Sequence, residues 1–599
     1  MKIGLCMIVK DESHVILESL TCTLPLIDTY CIVDTGSSDD TIEKIKTFYS
    51  EKGIEGDVHQ SAWKDFGTNR SEALKLCDGK MDYILVIDAD DLMGFPVDAK
   101  QTLEEILVKT NANALQLTIR QGDLRYYRAQ IFKANDDWKY VGVLHEYPTN
   151  SKSSVIPQLP TEFWMESRRL GGRNKAGNKA QRDVDILTKG IADEPNNERY
   201  YFYLAQSHRD NGNDLMAIKY YKQRFKMGKW AEEAWFAAYQ VGDSYKRIGD
   251  IAKFEYWMQK AYIYRPSRAE PIYKLVEFYR VTGKLYKAYE YYLIGSKIPY
   301  PKDDLLFIEG NVYNGMFDYE GSIIEYYVKR ELCLATTIRF MLKSAAHQQN
   351  CVSNLQFSVK QIPSTSRILN IQNPFNEEFR PSAISILKYP VANVRFINYL
   401  PPTKGEYKTK DGTPIQTNNA FVNIETGISI PMKNPVPLFE SNVRGVEDLR
   451  IYQTGYNIEF IGTNYYEYEE GKVSMVNGTY NLVTRELENV VSIKSPTNSN
   501  CEKNWLYVPG TDEFIYGWNP LRILNKNFEI IKTVSTPPLF SLFRGSAPPI
   551  EWNDLWLTMI HFVEYSNPRK YYHCFVELSK TYDVLRLSLP FFFKSNTFD

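Results

Sequence analysis

The sequence predicts three fold classes in succession: an α/β domain with a mainly parallel sheet, an all-α array of paired helices, and an all-β domain. Three observations carry this. Strand-like and helix-like runs alternate through residues 1–150, with acidic clusters at two strand ends. Gly212, Gly249, Gly283 and Gly315 recur at spacings of 37, 34 and 32 residues between aromatic-rich helical stretches. Beyond about residue 365, short period-2 apolar runs alternate with Pro, Asn and Gly clusters. A chain of 599 residues also exceeds one core, since domains run to roughly 100–200 residues.

The first strand is the apolar run from Lys2 to Val9, closed by Lys10, Asp11 and Glu12. It is too short for a signal peptide and reads as a buried strand. Residues 14–27 have helical spacing. Residues 30–36 form a strand ending in Asp34 and Gly36. Residues 37–53 form a helix with a Ser/Asp start and a Gly stop. Residues 81–91 form another buried strand ending in acids, and ligands of such sheets sit at the carboxyl ends of the strands.

The assigned spans are an α/β domain over 1–165, a basic connector over 166–198, tetratricopeptide-like repeats over 199–330, a helical linker over 331–365 and the all-β domain over 366–599. In the repeats, Gly242, Tyr245, Gly249, Ala261 and Pro266 sit at the consensus offsets of one unit, and Leu275, Tyr279, Gly283 and Ala288 at those of the next. Small residues there let paired helices approach. The all-β part reads as a sandwich or a propeller.

Bulk properties exclude several classes. With 43% hydrophobic and 24% charged residues, disorder does not dominate. A net charge of −2 points to no nucleic-acid partner. No run of 18 apolar residues occurs, so no membrane span is expected. The eight cysteines are scattered without a CxxC pair, which argues against zinc and dense disulfides and fits a reducing, cytoplasmic location.

The chemistry concentrates at Asp88-Ala89-Asp90-Asp91. Glycosyl transfer from a nucleotide diphosphate must neutralise charge on the leaving group, and Mg²⁺ or Mn²⁺ held by carboxylates does this. In isolation D-x-D is common, and a solvated acidic turn also accounts for it. Two further segments give it context: Met7-Ile8-Val9-Lys10-Asp11-Glu12, and Val33-Asp34-Thr35-Gly36-Ser37-Ser38-Asp39-Asp40-Thr41.

In order and spacing these three segments resemble family 2 glycosyltransferases with the GT-A fold. The resemblance implies a donor site containing Val9, Glu12, Asp34, Arg70 and Asp88. Asp34 would contact the uracil or ribose side, Asp88 would lie near ribose and metal, and Asp90 would bind Mn²⁺ or Mg²⁺. Thr35 departs from the usual second Asp, which alters nucleotide contacts there. Arg70, in Trp63-x-x-Phe66-x-x-Asn69-Arg70, resembles the helix that carries an Arg toward the donor and would offset pyrophosphate charge. A surface Arg is the plainer reading. Family 2 enzymes generally invert, so they need a carboxylate base, and Glu146 is the candidate. His145 would complete the metal shell. A structural His–Glu pair is the alternative. Arg128 is read either as a phosphate contact or as a surface ion pair. The Gly-rich basic stretch 167–182 is either a connector or a loop closing over the phosphates.

Residues 1–330 together look like bacterial and giant-virus family 2 glycosyltransferases in which tetratricopeptide helices follow the GT-A domain. A viral chain would work in the host cytoplasm or the virion. In the all-β part, Arg444-Gly445-Val446-Glu447-Asp448-Leu449-Arg450, Cys501-Glu502-Lys503-Asn504-Trp505 and Arg544-Gly545-Ser546-Ala547-Pro548-Pro549 resemble elements of the five-bladed propellers of glycoside hydrolase family 130 phosphorylases. Leu449 replaces the usual Pro. This implies five blades and a second site of Glu447, Asp448, Arg450, Lys503, Asn504 and Arg544 near the axis, with His561 in the next strand; blade-closing ion pairs are the plainer reading. Asp411 is an available acid, on a Gly-rich turn. Pro590 to Phe593 should pack into the last blade, or be covered by further chain.

The expected function is inverting transfer of a hexose or N-acetylhexosamine from a UDP-sugar to a hydroxyl of a glycan or protein acceptor. The repeats would hold the acceptor, a protein partner or a second copy. The alternative is a carbohydrate-binding or phosphorylase-type propeller protein, making the chain bifunctional if both hold. A pure scaffold does not explain the ordered acidic motifs.

Overall fold

The computed structural model describes all residues except 123, 153–155, 173–178, 365–367, 404–405, 410–411, 435–442, 465–472, 567–568 and 594–599. It forms two compact units: Met1–Pro266 with Lys302–Phe307, and Ser267–Pro301 with Ile308–Asp599.

The first unit begins with an α/β domain. Its strands are β1 (Ile3–Val9), β2 (Thr29–Asp34), β3 (Gly56–Gln60), β4 (Tyr83–Val86), β5 (Leu92–Gly94), β6 (Ala114–Gln121), β7 (Leu124–Lys133), β8 (Lys139–Val141), β9 (Tyr147–Thr149) and β10 (Trp164–Glu166). Eight of them make one sheet in the order β3-β2-β1-β4-β7-β6-β10-β5, while β8 and β9 pair as a hairpin. β3, β2, β1 and β4 are parallel. Both faces of this half are covered, so β1 and β2 are almost wholly buried and read as unbroken apolar runs. The pleat divides β1: Ile3, Leu5, Met7 and Val9 join one core and Cys6 the other. Helices α1 (Ile16–Thr23), α2 (Thr41–Lys52), α3 (Phe66–Leu76) and α4 (Ala99–Thr110) flank the sheet. Gly53 closes α2 in the left-handed conformation. Asp65 caps α3 by accepting from the Thr68 amide.

Five further helices follow in this unit: α5 (Lys179–Asp193), α6 (Glu198–Asp210), α7 (Asp214–Met227), α8 (Ala231–Arg247) and α9 (Ile251–Tyr264). Gly212 and Gly249, at φ 73° and 82°, turn the chain between α6 and α7 and between α8 and α9. Gly242 on α8 faces α9, where an added Cβ would lie 3.1 Å from Met258 Cε. Arg224 and Glu233 form a buried pair at 2.6 Å, with the Gly228 carbonyl accepting from a second guanidinium nitrogen.

In the second unit α10 (Glu270–Val281) and α11 (Leu285–Gly295) turn at Gly283. Gly315 departs from the expected pattern. It lies at a kink inside the irregular helical segment Val312–Met316, at φ 108°, and not in a turn between two long paired helices. α12 (Phe317–Val328), α13 (Cys333–Lys343) and α14 (Gln348–Asn354) follow. Ile338, Phe340, Met341, Cys351 and Leu355 share a core with Leu506, Ile515, Ile560 and Val576 of the sheets.

The all-β part is propeller-like, and the expected five blades are corrected to four among the described residues. The first joins Arg380–Lys388, Val391–Ile397, Ile415–Asn423 and Ser429–Met432; the second Glu447–Thr454, Asn457–Asn464, Ser474–Asn481 and Glu486–Ile493; the third Leu506–Val508, Glu513–Trp518, Leu521–Leu524 and Ile530–Val534. The fourth joins Arg544–Trp552, Leu555–Glu564, Lys570–Leu578, Val584–Leu587 and Phe591–Phe592 with Lys360–Gln361. Runs that look independent in sequence share sheets: Val391 faces Asn423, and Trp556 faces Leu578. The hairpin of Tyr399–Thr403 and Glu406–Thr409 is only two-stranded. Phe591 is buried and pairs with Lys360, whereas Phe592 and Phe593 are partly exposed. No helix among the described residues is long and apolar enough to cross a membrane.

Candidate functional site

The expected donor residues meet beyond the carboxyl ends of β1, β2 and β4. The first two ends are tied together by short polar side chains. The Thr35 amide and hydroxyl both donate to the Val9 carbonyl, at 2.9 and 3.1 Å. The Thr that departs from the family pattern therefore fastens β2 to β1. Asp34 is buried and its carboxylate accepts from the Gly36 and Ser37 amides, 3.0 and 3.1 Å away. Asp11 accepts from the amide and hydroxyl of Ser38, and the Glu12 amide donates to Thr41 Oγ1 at 2.8 Å.

The third strand end meets α3 and the β8–β9 hairpin. Gly67 lets α3 touch the hairpin, because a Cβ there would sit 2.4 Å from the Gly142 carbonyl oxygen. The Phe66 amide donates to the Val143 carbonyl at 3.3 Å. This contact aims Arg70 between two acids. Its Nε donates to Glu146 Oε1 at 2.7 Å and its Nη2 to Asp88 Oδ1 at 2.5 Å. The side chains of Arg70 and Glu146 are 13% and 12% exposed, and that of Asp88 is 36% exposed. Burial alone would lower the Arg70 pKa, but Asp88 and then Glu146 outweigh it and raise it. Burial would likewise raise Asp88, and Arg70 with Arg128 brings it below the ordinary carboxylate value.

Asp90 and Glu12 converge from β4 and β1 on the start of the basic connector. The Gly171 amide donates to Asp90 Oδ2 at 2.7 Å, and the Gly172 amide to Glu12 at 3.1 Å. Arg168 Nε donates to the Asp90 carbonyl, and His14 Nε2 bonds the Leu170 carbonyl oxygen at 2.9 Å. Gly171 packs closely on both acids, since a Cβ would lie 3.0 Å from Glu12 Oε1 and 3.4 Å from Asp90 Cγ. Burial, and then Asp90 and Asp88 acting against the Gly172 amide, raise Glu12 to about 7. Asp91, 2% exposed, has an unpartnered Oδ2; burial and then Asp88 push it up to about 8. Arg128 Nη2 lies 3.8 Å from that oxygen, so its placement follows the ion-pair reading. Of the stretch 167–182, residues 173–178 lie outside the described residues.

The acidic convergence of Asp90 and Glu12, crowded by Asp88, suits a divalent cation by charge and donor type. Among the described residues, however, no group of three or more His, Cys, Asp or Glu side chains is assembled to hold one. His145, expected in the metal shell, has its ring flat against Tyr203 at 3.9 Å.

The second expected site is only partly assembled. Arg395, which sequence reasoning missed, binds Asp448 at 2.7 Å and Glu447 at 3.2 Å, and donates to Tyr399 Oη. Its only signal was an Arg inside an apolar strand. Arg450 donates to the carbonyls of Ser546 and Gly545, and Ser546 Oγ bonds His561 Nδ1 at 2.7 Å. Arg544 turns to Tyr565 Oη. Asn504 adopts φ 62°, its carbonyl oxygen 2.7 Å from where a Cβ on Gly545 would lie; Lys503 beside it is half-buried. Asp411 lies outside the described residues.

A TPR repeat-containing protein of Synechococcus elongatus is 27% identical over 38% of this chain and 57% of its own length. The SPbeta prophage-derived glycosyltransferase SunS of Bacillus subtilis is 23% identical over 36% of this chain and 51% of its own. The chain thus spans about half the length of the curated relatives it matches. Among solved structures, S. aureus TarS 1–349 in complex with UDP-GlcNAc aligns at 15% identity and a TM-score of 0.25, over 42% of this chain and 89% of that one. Residues 5–165, which hold every acid of the first site, match the family model of glycosyl transferase family 2.

Proposed function

We propose that this domain transfers a hexose or N-acetylhexosamine from a UDP-sugar to an acceptor hydroxyl with inversion. The observation that carries the proposal is the bridge from Asp88 through Arg70 to Glu146, beside Asp90 at a strand end. The bridge sets a donor-side carboxylate and an acceptor-side carboxylate a fixed distance apart. Arg70 orients both. The acceptor oxygen attacks the anomeric carbon, its proton passes to Glu146, and the carbon–oxygen bond to UDP breaks with the electron pair leaving on UDP. Glu146 Oε1 is engaged by Arg70, which leaves Oε2 for the proton. Asp90 and Glu12 would hold Mn²⁺ or Mg²⁺, whose charge offsets that of the leaving diphosphate.

The test is nucleoside diphosphate release from a panel of UDP- and GDP-sugars, without acceptor, with Mn²⁺ or with EDTA. We expect metal-dependent release from a UDP-sugar, lowered at least ~100-fold in Asp90→Asn, the scale of one lost electrostatic stabiliser. Full activity in EDTA, or in that variant, rules out the metal role. No release from any donor rules out the donor class.

A second reading concerns the propeller-like part. Arg395, Asp448, Arg450 and His561 bring cationic and hydroxyl-binding groups into one neighbourhood. This supports a carbohydrate-binding role there, with phosphorolysis as its catalytic form. Phosphate-dependent cleavage of a β-mannoside disaccharide by the Asp90→Asn chain would establish phosphorolysis; no cleavage leaves binding alone.

A further inference from the structure

The segment 145–147 faces two ways. Glu146 points to Arg70, while the residues on either side of it meet the first repeat helix. His145 lies on Tyr203, and the Tyr147 ring stands 5.4 Å from the Arg199 guanidinium. Arg199 is also 5.4 Å from the Tyr203 ring and 6.0 Å from Trp230. Three aromatic rings from a hairpin, a helix and a loop therefore surround one cation within cation–π range. The backbone fixes their placement: the Val143 amide donates to Tyr200 Oη at 3.2 Å, tying the hairpin to α6 one residue along from Arg199.

Two properties of this cluster are not needed for packing. Tyr147 and Trp230 remain 45% and 40% exposed, although large rings are normally driven inside. Arg199 donates to Tyr203 Oη at 3.0 Å, but no carboxylate among the described residues pairs with it. Its neighbour Glu198 is committed to Lys229 at 2.6 Å. A guanidinium held by π-faces and lacking an anion is a ready receptor for carboxylate, phosphate or sulfate. Exposed Tyr and Trp faces next to it suit the apolar face of a pyranose.

We propose that His145, Tyr147, Arg199, Tyr203 and Trp230 form the acceptor platform, and that the acceptor is an acidic saccharide whose anionic group binds Arg199. This rests on the transferase reading, since it is Glu146 beside the platform that gives the bound saccharide the role of acceptor. The anion would lie on the repeat side of Glu146. The first repeat thereby selects the acceptor, and the α/β domain selects the donor.

The experiment uses the full chain against immobilised tetrasaccharides that are neutral, uronate-bearing, sulfated or phosphorylated, and against an acidic peptide of equal charge. Acceptor-independent UDP-sugar hydrolysis is measured in parallel. We expect one class of acidic saccharide to bind better than the neutral ones, and the class that binds identifies the anion. Arg199→Gln should weaken that binding at least about tenfold, the loss of a charge-assisted hydrogen bond. Arg199→Lys should recover part of it, and Trp230→Ala should weaken binding of neutral and acidic saccharides alike. Equal binding of neutral and acidic saccharides, preference for the peptide, or unchanged binding by Arg199→Gln overturns the proposal. Absence of hydrolysis in the unaltered chain, with saccharide binding intact, overturns the transferase reading instead. If Arg199→Gln loses its helical signal, Arg199→Lys and Trp230→Ala decide.

Discussion

Replacing Arg70 by Met should be the most damaging single change in the α/β domain. Met fills similar volume but withdraws the cation between Asp88 and Glu146, leaving two carboxylates facing each other across the gap. Glu146 is 12% exposed, and breaking a buried pair of this kind costs roughly 3 kcal/mol. Asp88 is 36% exposed, so its share is discounted to about 1 kcal/mol. The sum, about 4 kcal/mol, corresponds to nearly three decades in an opening equilibrium. Hydrogen exchange of peptides covering β1, β4 and the β8–β9 hairpin should quicken by that factor where exchange follows opening of the domain. Arg70→Lys keeps the charge but not the fork and should cost about half as much. The double variant Arg70→Met/Glu146→Gln should recover about 2 kcal/mol, because the uncompensated charge is gone. Exchange within tenfold of the unaltered chain in Arg70→Met, or no recovery in the double variant, refutes the bridge as the element that holds this site.

Glu146→Gln should retain UDP affinity while transfer falls by about 10²–10⁴, the usual worth of a general base; a parallel loss of UDP binding assigns Glu146 to the donor side. Gly242→Leu should separate α8 from α9, because even a Cβ meets Met258 at 3.1 Å, and cost roughly 1–3 kcal/mol; unchanged exchange in both helices removes the argument. Burial first, then His573, Arg544 and Arg450 against the pull of Asp448, lower His561 from 6.5 to about 4. The folded state thus resists its protonation, and stability that is full above pH 6.5 is lost as pH falls toward 4, by about 2 kcal/mol at pH 5. His561→Gln should flatten that part of the pH profile of the propeller-like part, and an unaltered slope contradicts the assignment.

The sheet was legible because its parallel strands are buried on both faces and end abruptly in acids. The runs leading into Asp34 and Asp88 announce both the strand and the ligand-facing end. Turn glycines were legible for the related reason that Gly212, Gly249 and Gly283 need positive φ. The Arg70 bridge was not legible. It joins residues 18 and 76 positions apart through a contact between α3 and a hairpin, and no local pattern encodes that. His145 was read as a metal ligand because His followed by Glu is chemically suggestive; its stacking on Tyr203, 58 positions away, was not legible in the sequence. Sheet number was misjudged because period 2 marks strands and not their partners.

The amides of Gly171 and Gly172 lie outside the stretch that defines the family domain, which ends at residue 165. A chain cut there would fold around an acidic cluster stripped of two of its hydrogen-bond donors and of Arg168. It would also lose Tyr200, which anchors the hairpin holding Glu146. On the proposed function, donor affinities measured on such a fragment would describe a different electrostatic environment, with more uncompensated negative charge at the acidic cluster. The same logic applies to exchanging the repeats of two related chains. The border that sequence comparison draws runs through the wall of the site, so a swap at residue 165 exchanges part of the site along with the repeats.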